Sequence, residues 1–254
     1  MRSSSDSMES PRRGFDDKYE LLERLGHGNF GEVYRIREIA TGQVLALKRI
    51  RTGTDASKMD TIPAAAFNEI QAMYHLDHPN VSYDNYDIKP SNLLMDRHGV
   101  LKLSDFGLAT VYTGPAREYA HQVATRWYRA PELLFGSRSY DHKVDMWAVG
   151  VVFAELLQHA PLFPGLNDID QIFRVMQVLG SPTWPGMAEL PDYHKVSFPA
   201  FNPLPLASLF PDVEETALDL LKCLLVYDPS KRLEAAEVGL LVSPTVQHTR
   251  TDRP

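Results

Sequence analysis

Up to about residue 15 the chain is polar, rich in Ser and Arg with few apolar side chains. Ordering it would cost more backbone entropy than burial could return, so a flexible tail is expected. From Tyr19 to Ile50 the pattern changes to short apolar-polar alternations. Tyr19 to Leu25, Glu32 to Arg37 and Gln43 to Ile50 predict three antiparallel strands, separated by a glycine cluster and a Thr41-Gly42 turn. The period then changes from strand to helix. From Pro63, suited to a first helical turn, Ala66, Ile70 and Met73 recur at helical spacing to about His75, where His78-Pro79-Asn80 breaks the run. One helix is therefore expected to pack on the sheet. Beyond Asp87 the pattern is mainly helical, with a helix over Val144 to Leu157 and an apolar stripe of Ala217, Leu220, Leu221, Leu224 and Leu225. The Pro-rich stretch Ser181 to Pro211 is expected to be loop, and no internal repeat is found. The fold class is α+β: a small β-rich N-terminal lobe and a mainly α-helical C-terminal lobe.

Composition narrows the function. The 254 residues are 44% hydrophobic and 23% charged, enough apolar material for a substantial core in one or two subdomains. A net charge of -7 argues against binding nucleic acid through overall charge and favours a basic partner. The single cysteine, Cys223, cannot form an internal disulfide, and Met1 to Arg13 has no apolar core of the signal-peptide kind, so cytoplasm or nucleus is expected. The most apolar run, Met146 to Leu157, falls short of the roughly 20 residues that span a bilayer and contains Glu155, so it is read as a buried helix with no membrane partner. The histidines show no metal-ligand spacing with cysteine. Trp184 and Cys223 are assigned to packing.

Candidate chemistry begins at Leu25-Gly26-His27-Gly28-Asn29-Phe30-Gly31-Glu32-Val33, where glycines between two strands let backbone N–H groups approach phosphate closely. Taken alone, this is equally a glycine-rich hairpin. On the next strand, period-two alternation puts Val44, Ala46 and Lys48 on one face, an ammonium in line with small apolar residues suited to an adenine pocket. In the helix that follows, Glu69 shares a face with Ala65, Met73 and Leu76, where pairing with Lys48 would offset its desolvation. Asp87-Ile88-Lys89-Pro90-Ser91-Asn92 and Asp105-Phe106-Gly107 then supply what phosphoryl transfer to a hydroxyl needs. Asp87 is the base, Lys89 steadies the transferring phosphate, and Asn92 with Asp105 holds Mg2+ bound with ATP. Leu25, Val33, Ala46 and Leu94 form apolar walls for the adenine.

These motifs, with Ala130-Pro131-Glu132, Asp145-Met146-Trp147-Ala148-Val149-Gly150 and Asp228-Pro229-Ser230-Lys231-Arg232, resemble the eukaryotic protein kinases over about residues 17 to 237. The resemblance implies a buried structural ion pair between Glu132 and Arg232. Trp127-Tyr128-Arg129 is similar to the branch holding cyclin-dependent and mitogen-activated kinases, in which the matching arginine shapes a pocket for proline after the phosphorylated residue. Protein substrates with Ser/Thr-Pro sites and a cyclin-like activator follow from that resemblance. His121-Gln122-Val123-Ala124-Thr125-Arg126-Trp127, Leu162-Phe163-Pro164-Gly165 and Leu190-Pro191-Asp192-Tyr193 most resemble the cell-cycle-related kinase subfamily of cyclin-dependent kinases, which carries cell-cycle and cilium-linked roles.

The chain departs from the family between Glu69 and Asp87. Only residues 70–86 stand where the family has two strands, an adenine-binding hinge and two helices. At about 3.4 Å per residue, residues 77–86 reach roughly 34 Å, so the lobes can still be joined. The loss is expected to uncover apolar surface on the sheet and on the Met146 to Leu157 helix, with poor stability and weak nucleotide affinity. Asn85-Tyr86-Asp87 replaces His-Arg-Asp, Ala120 stands where an activating threonine would, and Asn68 and Thr110 replace two further arginines of the phosphate cluster. The segment is therefore expected not to be ordered by threonine phosphorylation, and Asn29 and Phe30 leave no inhibitory acceptors in the glycine loop. After Glu237 the final helix of the family is expected to be missing. The resulting organisation is a tail (1–15), a truncated small lobe (16–81), a large lobe lacking its first helices (82–238) and a polar tail (239–254), as in a splice product or incomplete gene model. A catalytically impaired interaction module and a chain without a stable fold remain alternative readings.

Overall fold

The expected alternation in the first fifty residues is realised as three antiparallel strands, β1 (Tyr19–Gly28), β2 (Gly31–Glu38) and β3 (Val44–Ile50), in the order β1-β2-β3. The computed structural model describes residues 17–28, 31–50, 87–105, 118–120 and 123–242. Asn29, Phe30, the helix expected from Pro63 with Asn68 and Glu69, the shortened connection to Tyr86, and Thr110 all lie outside them. The chain divides into two compact units, Met1–Phe67 and Asn68–Pro254.

In the first unit, the register sets Val33 opposite Lys48, Arg35 opposite Ala46 and Ile36 opposite Leu45. Facing partners in an antiparallel pair share a side of the sheet, so Val44, Ala46 and Lys48 occupy one face, as the alternation predicts, and the register adds Val33 to it. Ile36 is the buried anchor of the other face. Glu23–Arg35 and Glu20–Arg37 pair across β1 and β2 at 3.0 and 2.9 Å. Both pairs are about half-exposed, and exposed pairs contribute little to stability. Leu21, Leu25, Ile39 and Val44 are exposed apolar residues of this unit.

The second unit is built around α2 (Lys143–Gln158), apolar on nearly every side because neighbours cover it all round. Trp147, fully buried, stacks on Phe163 with ring centroids 6.2 Å apart. Gly150 lets α5 (Glu215–Leu224) approach closely, since a Cβ there would lie 2.8 Å from Leu224 Cβ and 2.9 Å from Leu225 Cδ2. Glu155, the carboxylate in the apolar run, accepts a hydrogen bond from Tyr128 Oη at 2.8 Å. At the far end of α2, Leu156 is exposed. Two strands, β4 (Leu93–Met95) and β5 (Leu101–Leu103), form a hairpin. The remaining helices are α1 (Pro131–Leu134), α3 (Asp168–Leu179), α4 (Leu206–Leu209) and α6 (Ala235–Val242).

Three expectations are corrected. The buried face of α5 is Leu218, Leu221 and Leu224, continued by Leu225, whereas Ala217 and Leu220 are only half-buried; the stripe is rotated by about one residue. The Pro-rich stretch is not all loop: 3-10 turns at Pro185–Glu189 and Tyr193–Lys195 and helix α4 punctuate it, with proline at the first position of the first turn, where no N–H is needed. The stretch from residue 239 does not begin as a tail without secondary structure, because helix α6 runs through Val242.

Candidate functional site

In the second unit, the site is assembled by a short chain reversal. Pro90 starts a 3-10 turn over Pro90–Asn92, its fixed φ suiting the first position, and β4 leaves directly from Asn92. The β4–β5 hairpin turns at Asp96, whose Oδ1 accepts the N–H groups of His98 and Val100 at 2.8 and 2.9 Å. The strand then returns to Ser104, which donates its N–H and its Oγ–H to the Asn92 carbonyl at 2.8 and 3.0 Å. The next residue, Asp105, has φ +63, a left-handed conformation that aspartate tolerates better than most side chains. Asn92 and Asp105 are thus tied through one carbonyl.

Asp87 is buried and its carboxylate is fixed from both sides. Oδ1 accepts the Thr125 N–H at 2.8 Å and the Thr125 hydroxyl at 2.7 Å. Oδ2 accepts from Lys89 Nζ and, at 3.5 Å, from Asn92 Nδ2, which also donates to the Asp87 carbonyl at 2.9 Å. Lys89 Nζ donates in turn to Thr125 Oγ1 at 3.0 Å. This closed set of charge-assisted bonds leaves the carboxylate little rotational freedom.

The two residues before Thr125 are held by Arg129. The Arg129 guanidinium donates to the carbonyls of Val123 and Ala124 at 2.9 and 3.0 Å, and to Asp168 Oδ1 at 3.1 Å. Ala124 has φ +64, a strained left-handed conformation for alanine, and its carbonyl is taken up by the guanidinium. Burial pulls Arg129 below the ordinary guanidinium range, opposed by the Asp168 carboxylate. Asp168 also accepts from Arg126 at 2.8 Å, so one carboxylate at the start of α3 fixes two arginines.

A protein kinase domain model matches residues 19–83 and 85–240. The chain belongs to the protein kinase family. Within that family it is similar to Cyclin-dependent kinase 20 of Danio rerio, 38% identical over 288 aligned positions covering 89% of this chain and 82% of that protein. It is also similar to Cyclin-dependent kinase 7 of Xenopus laevis, 38% identical over 280 positions covering 87% and 79%. These alignments are longer than the 254-residue chain, so the relatives carry residues within the matched span that this kinase lacks. Among solved structures, a chain of the CAK complex from Chaetomium thermophilum bound to ATP-gamma-S matches with TM-score 0.75 and 30% identity, over 88% of this chain and 90% of that one. The fold is the protein kinase fold, with a sheet-built N-terminal unit and a helical C-terminal unit.

Of the predicted site residues, Asp87, Lys89 and Asn92 are brought into one hydrogen-bonded cluster, and Asp105 adjoins it through Ser104. Leu94, on β4, is exposed. Leu25, Gly26, His27, Gly28, Gly31, Glu32, Val33, Ala46 and Lys48 lie on the three-stranded sheet of the first unit, where Glu32 accepts from Tyr34 Oη at 2.9 Å. Asn29, Phe30 and Glu69 lie outside the described residues. The implied pair of Glu132 and Arg232 is present and buried, with nitrogen–oxygen distances of 2.7 and 3.0 Å. Thr125 and Asp168 were not assigned roles from the sequence. Thr125 stands in a recognisable run before Trp127-Tyr128-Arg129, but only the folded chain places it against the Asp87 carboxylate 38 residues away.

Proposed function

We propose that this chain is an ATP-dependent Ser/Thr protein kinase of the cyclin-dependent type that acts on sites where proline directly follows the phosphorylated residue. The left-handed Ala124 carries the reading. Its carbonyl, and that of Val123, are consumed by Arg129, immediately before the threonine that holds the base. A substrate backbone N–H arriving beside them would lose its water and gain no acceptor there, whereas proline has no N–H to satisfy.

The chemistry follows from the cluster. Asp87 accepts the proton of the substrate hydroxyl as its oxygen bonds to the γ-phosphorus of ATP and the bond from that phosphorus to the β,γ-bridging oxygen breaks to release ADP, while Lys89 supplies positive charge to the transferring phosphoryl oxygens. Thr125 keeps Oδ1 engaged and orients the carboxylate. Asn92 directs its amide nitrogen to Asp87, which leaves Oδ1 as an acceptor, and Asp105 adds a carboxylate. Two hard oxygen donors of this kind fit magnesium, which when bound neutralises charge on the phosphates. On the first unit, the glycine-rich turn and Lys48 supply N–H groups and a cation for the nucleotide phosphates, with Val33 and Ala46 on the Lys48 face for its base. The names of the relatives and of the matched complex support ATP as donor and a cyclin-like activating partner.

The decisive assay pairs two peptides that differ only in Ser-Pro versus Ser-Ala, with ATP and magnesium. Phosphate transfer with a preference for Ser-Pro of tenfold or more is expected, and equal rates would remove the proposed specificity. A second reading, a kinase-like module that binds proteins without turnover, is favoured by the break in the family match at residue 84 and by the residues the relatives carry and this chain lacks. Thermal unfolding with and without magnesium-ATP separates the two, since a ligand that binds only the folded state raises the midpoint.

A further inference from the structure

The segment that supplies Thr125 and the Ala124 carbonyl must be fixed at its beginning as well as at Arg129. Tyr119 and Ala120 show how. The Tyr119 N–H donates to the Arg138 carbonyl at 2.8 Å, and its buried ring meets that of Tyr140 with centroids 5.4 Å apart. Tyr140, also buried, donates its hydroxyl to the Ala120 carbonyl at 2.6 Å. Burial raises the Tyr140 hydroxyl well above the ordinary phenol range, so it remains a donor throughout the neutral and mildly alkaline range.

The loop that carries Arg138 and Tyr140 is rigidly held. The Ser137 N–H donates to the Glu132 carbonyl at 2.9 Å, and Ser137 Oγ donates to the Ser139 carbonyl at 2.8 Å. Gly136 has φ +82, and a Cβ there would come within 2.5 Å of Asp192 Oδ2, so the loop is closed against the 3-10 turns as well. Through Glu132 it is tied to the buried Arg232. Tyr140 thus meets the described part of the segment through a hydroxyl on a main-chain carbonyl and a ring against a ring. Ala120 itself has no hydroxyl to modify.

We propose that Tyr140 is a positioning residue of the substrate-binding segment, fixing it through the Ala120 carbonyl and the Tyr119 ring without any need for phosphate. What the segment does rests on the kinase reading; that Tyr140 holds it does not. The test is hydrogen exchange on the full chain, wild type against Tyr140→Phe, each with and without phosphatase treatment, alongside kinetics on the Ser-Pro peptide. Loss of the one hydroxyl is expected to speed exchange at residues 118–120 and 123–129 by about five- to tenfold, with the amides of α2 unchanged. Phosphatase should change nothing in wild type. In kinetics, KM for the peptide should rise by a similar factor while kcat moves less, because the substrate platform and not the base is loosened. Exchange at wild-type rates in Tyr140→Phe would overturn the proposal. So would acceleration spread equally over α2, or a phosphatase-induced loosening of wild type. If wild type phosphorylates no Ser-Pro peptide, the kinase reading fails, and the exchange comparison still decides the role of Tyr140.

Discussion

Replacing Glu132 by Gln keeps the shape of a fully enclosed side chain, removes its charge and turns one of its two acceptor oxygens into an amide donor facing Arg232. Arg232 is then left at 0% side-chain exposure with a full positive charge. Besides the one amide oxygen kept at position 132, its acceptors are the carbonyls of Lys143 at 2.6 Å and of Val226 at 3.0 and 3.2 Å, with the Trp147 ring 5.3 Å from its centre. Breaking a buried pair costs about 3–5 kcal/mol, and the carbonyls and ring that still face the guanidinium place this case at the lower end, about 3 kcal/mol. For a domain of this size each kcal/mol moves the midpoint by about 2–4 °C, so circular dichroism melting should show a fall of about 6–12 °C. The reverse substitution is expected to be worse. In Arg232→Met the Glu132 carboxylate loses all the donors it has among the described residues, and a buried carboxylate without donors is destabilised more than a guanidinium that keeps its carbonyls. A drop below about 2 °C in Glu132→Gln, or a milder effect in Arg232→Met than in Glu132→Gln, would refute this account of what fixes α1 against α2 and the turn at Pro229–Lys231.

Thr125→Val removes the hydroxyl that joins Asp87 and Lys89 at nearly constant volume; a loss of one charge-assisted bond predicts a roughly 10- to 100-fold fall in kcat on a Ser-Pro peptide, and an unchanged kcat would remove Thr125 from the machinery. Arg129→Lys cannot reach two carbonyls and Asp168 together, so the ratio of Ser-Pro to Ser-Ala rates should fall toward one; a retained ratio would mean Ala124 is turned by something else. Asp96 is held below the usual carboxylate range by the Val100 and His98 N–H groups, so its contribution to the hairpin is present above the unfolded value of about 3.9 and is lost as pH falls through the lower folded value. An NMR titration of the His98 and Val100 amides should therefore show a midpoint below that of a free aspartate, and one at or above it would contradict the turn geometry.

The sequence showed most clearly what depends on local pattern. The three strands, the shared face of Val44, Ala46 and Lys48, and the buried helix around Trp147 were readable because alternation and apolar runs are properties of a few neighbouring residues. The face of α5 was misjudged by about one residue because Ala217, Leu218, Leu220 and Leu221 are all apolar, and the choice among them is made by α2, where Gly150 admits Leu224 and Leu225. Helix α6 was missed since the expected ending was sought by resemblance, while Glu237 accepting the Glu234 N–H at 2.8 Å is a local start signal in its own right.

The functional site divides along the same line. Asp87, Lys89 and Asn92 lie within six residues, so their grouping was legible from spacing, and the fold joins them by hydrogen bonds. What fixes the Asp87 carboxylate is contributed by Thr125, and what takes up the Ala124 carbonyl is contributed by Arg129, itself held by Asp168 far along the chain. Alanine has no intrinsic reason to adopt φ +64; the conformation exists because a buried guanidinium takes two successive carbonyls and has its own charge fixed by the first turn of α3. No local pattern encodes such a residue. The requirement can be seen only after the fold has placed the arginine, which is why the backbone turn at Ala124 was the part least visible in the order of the residues.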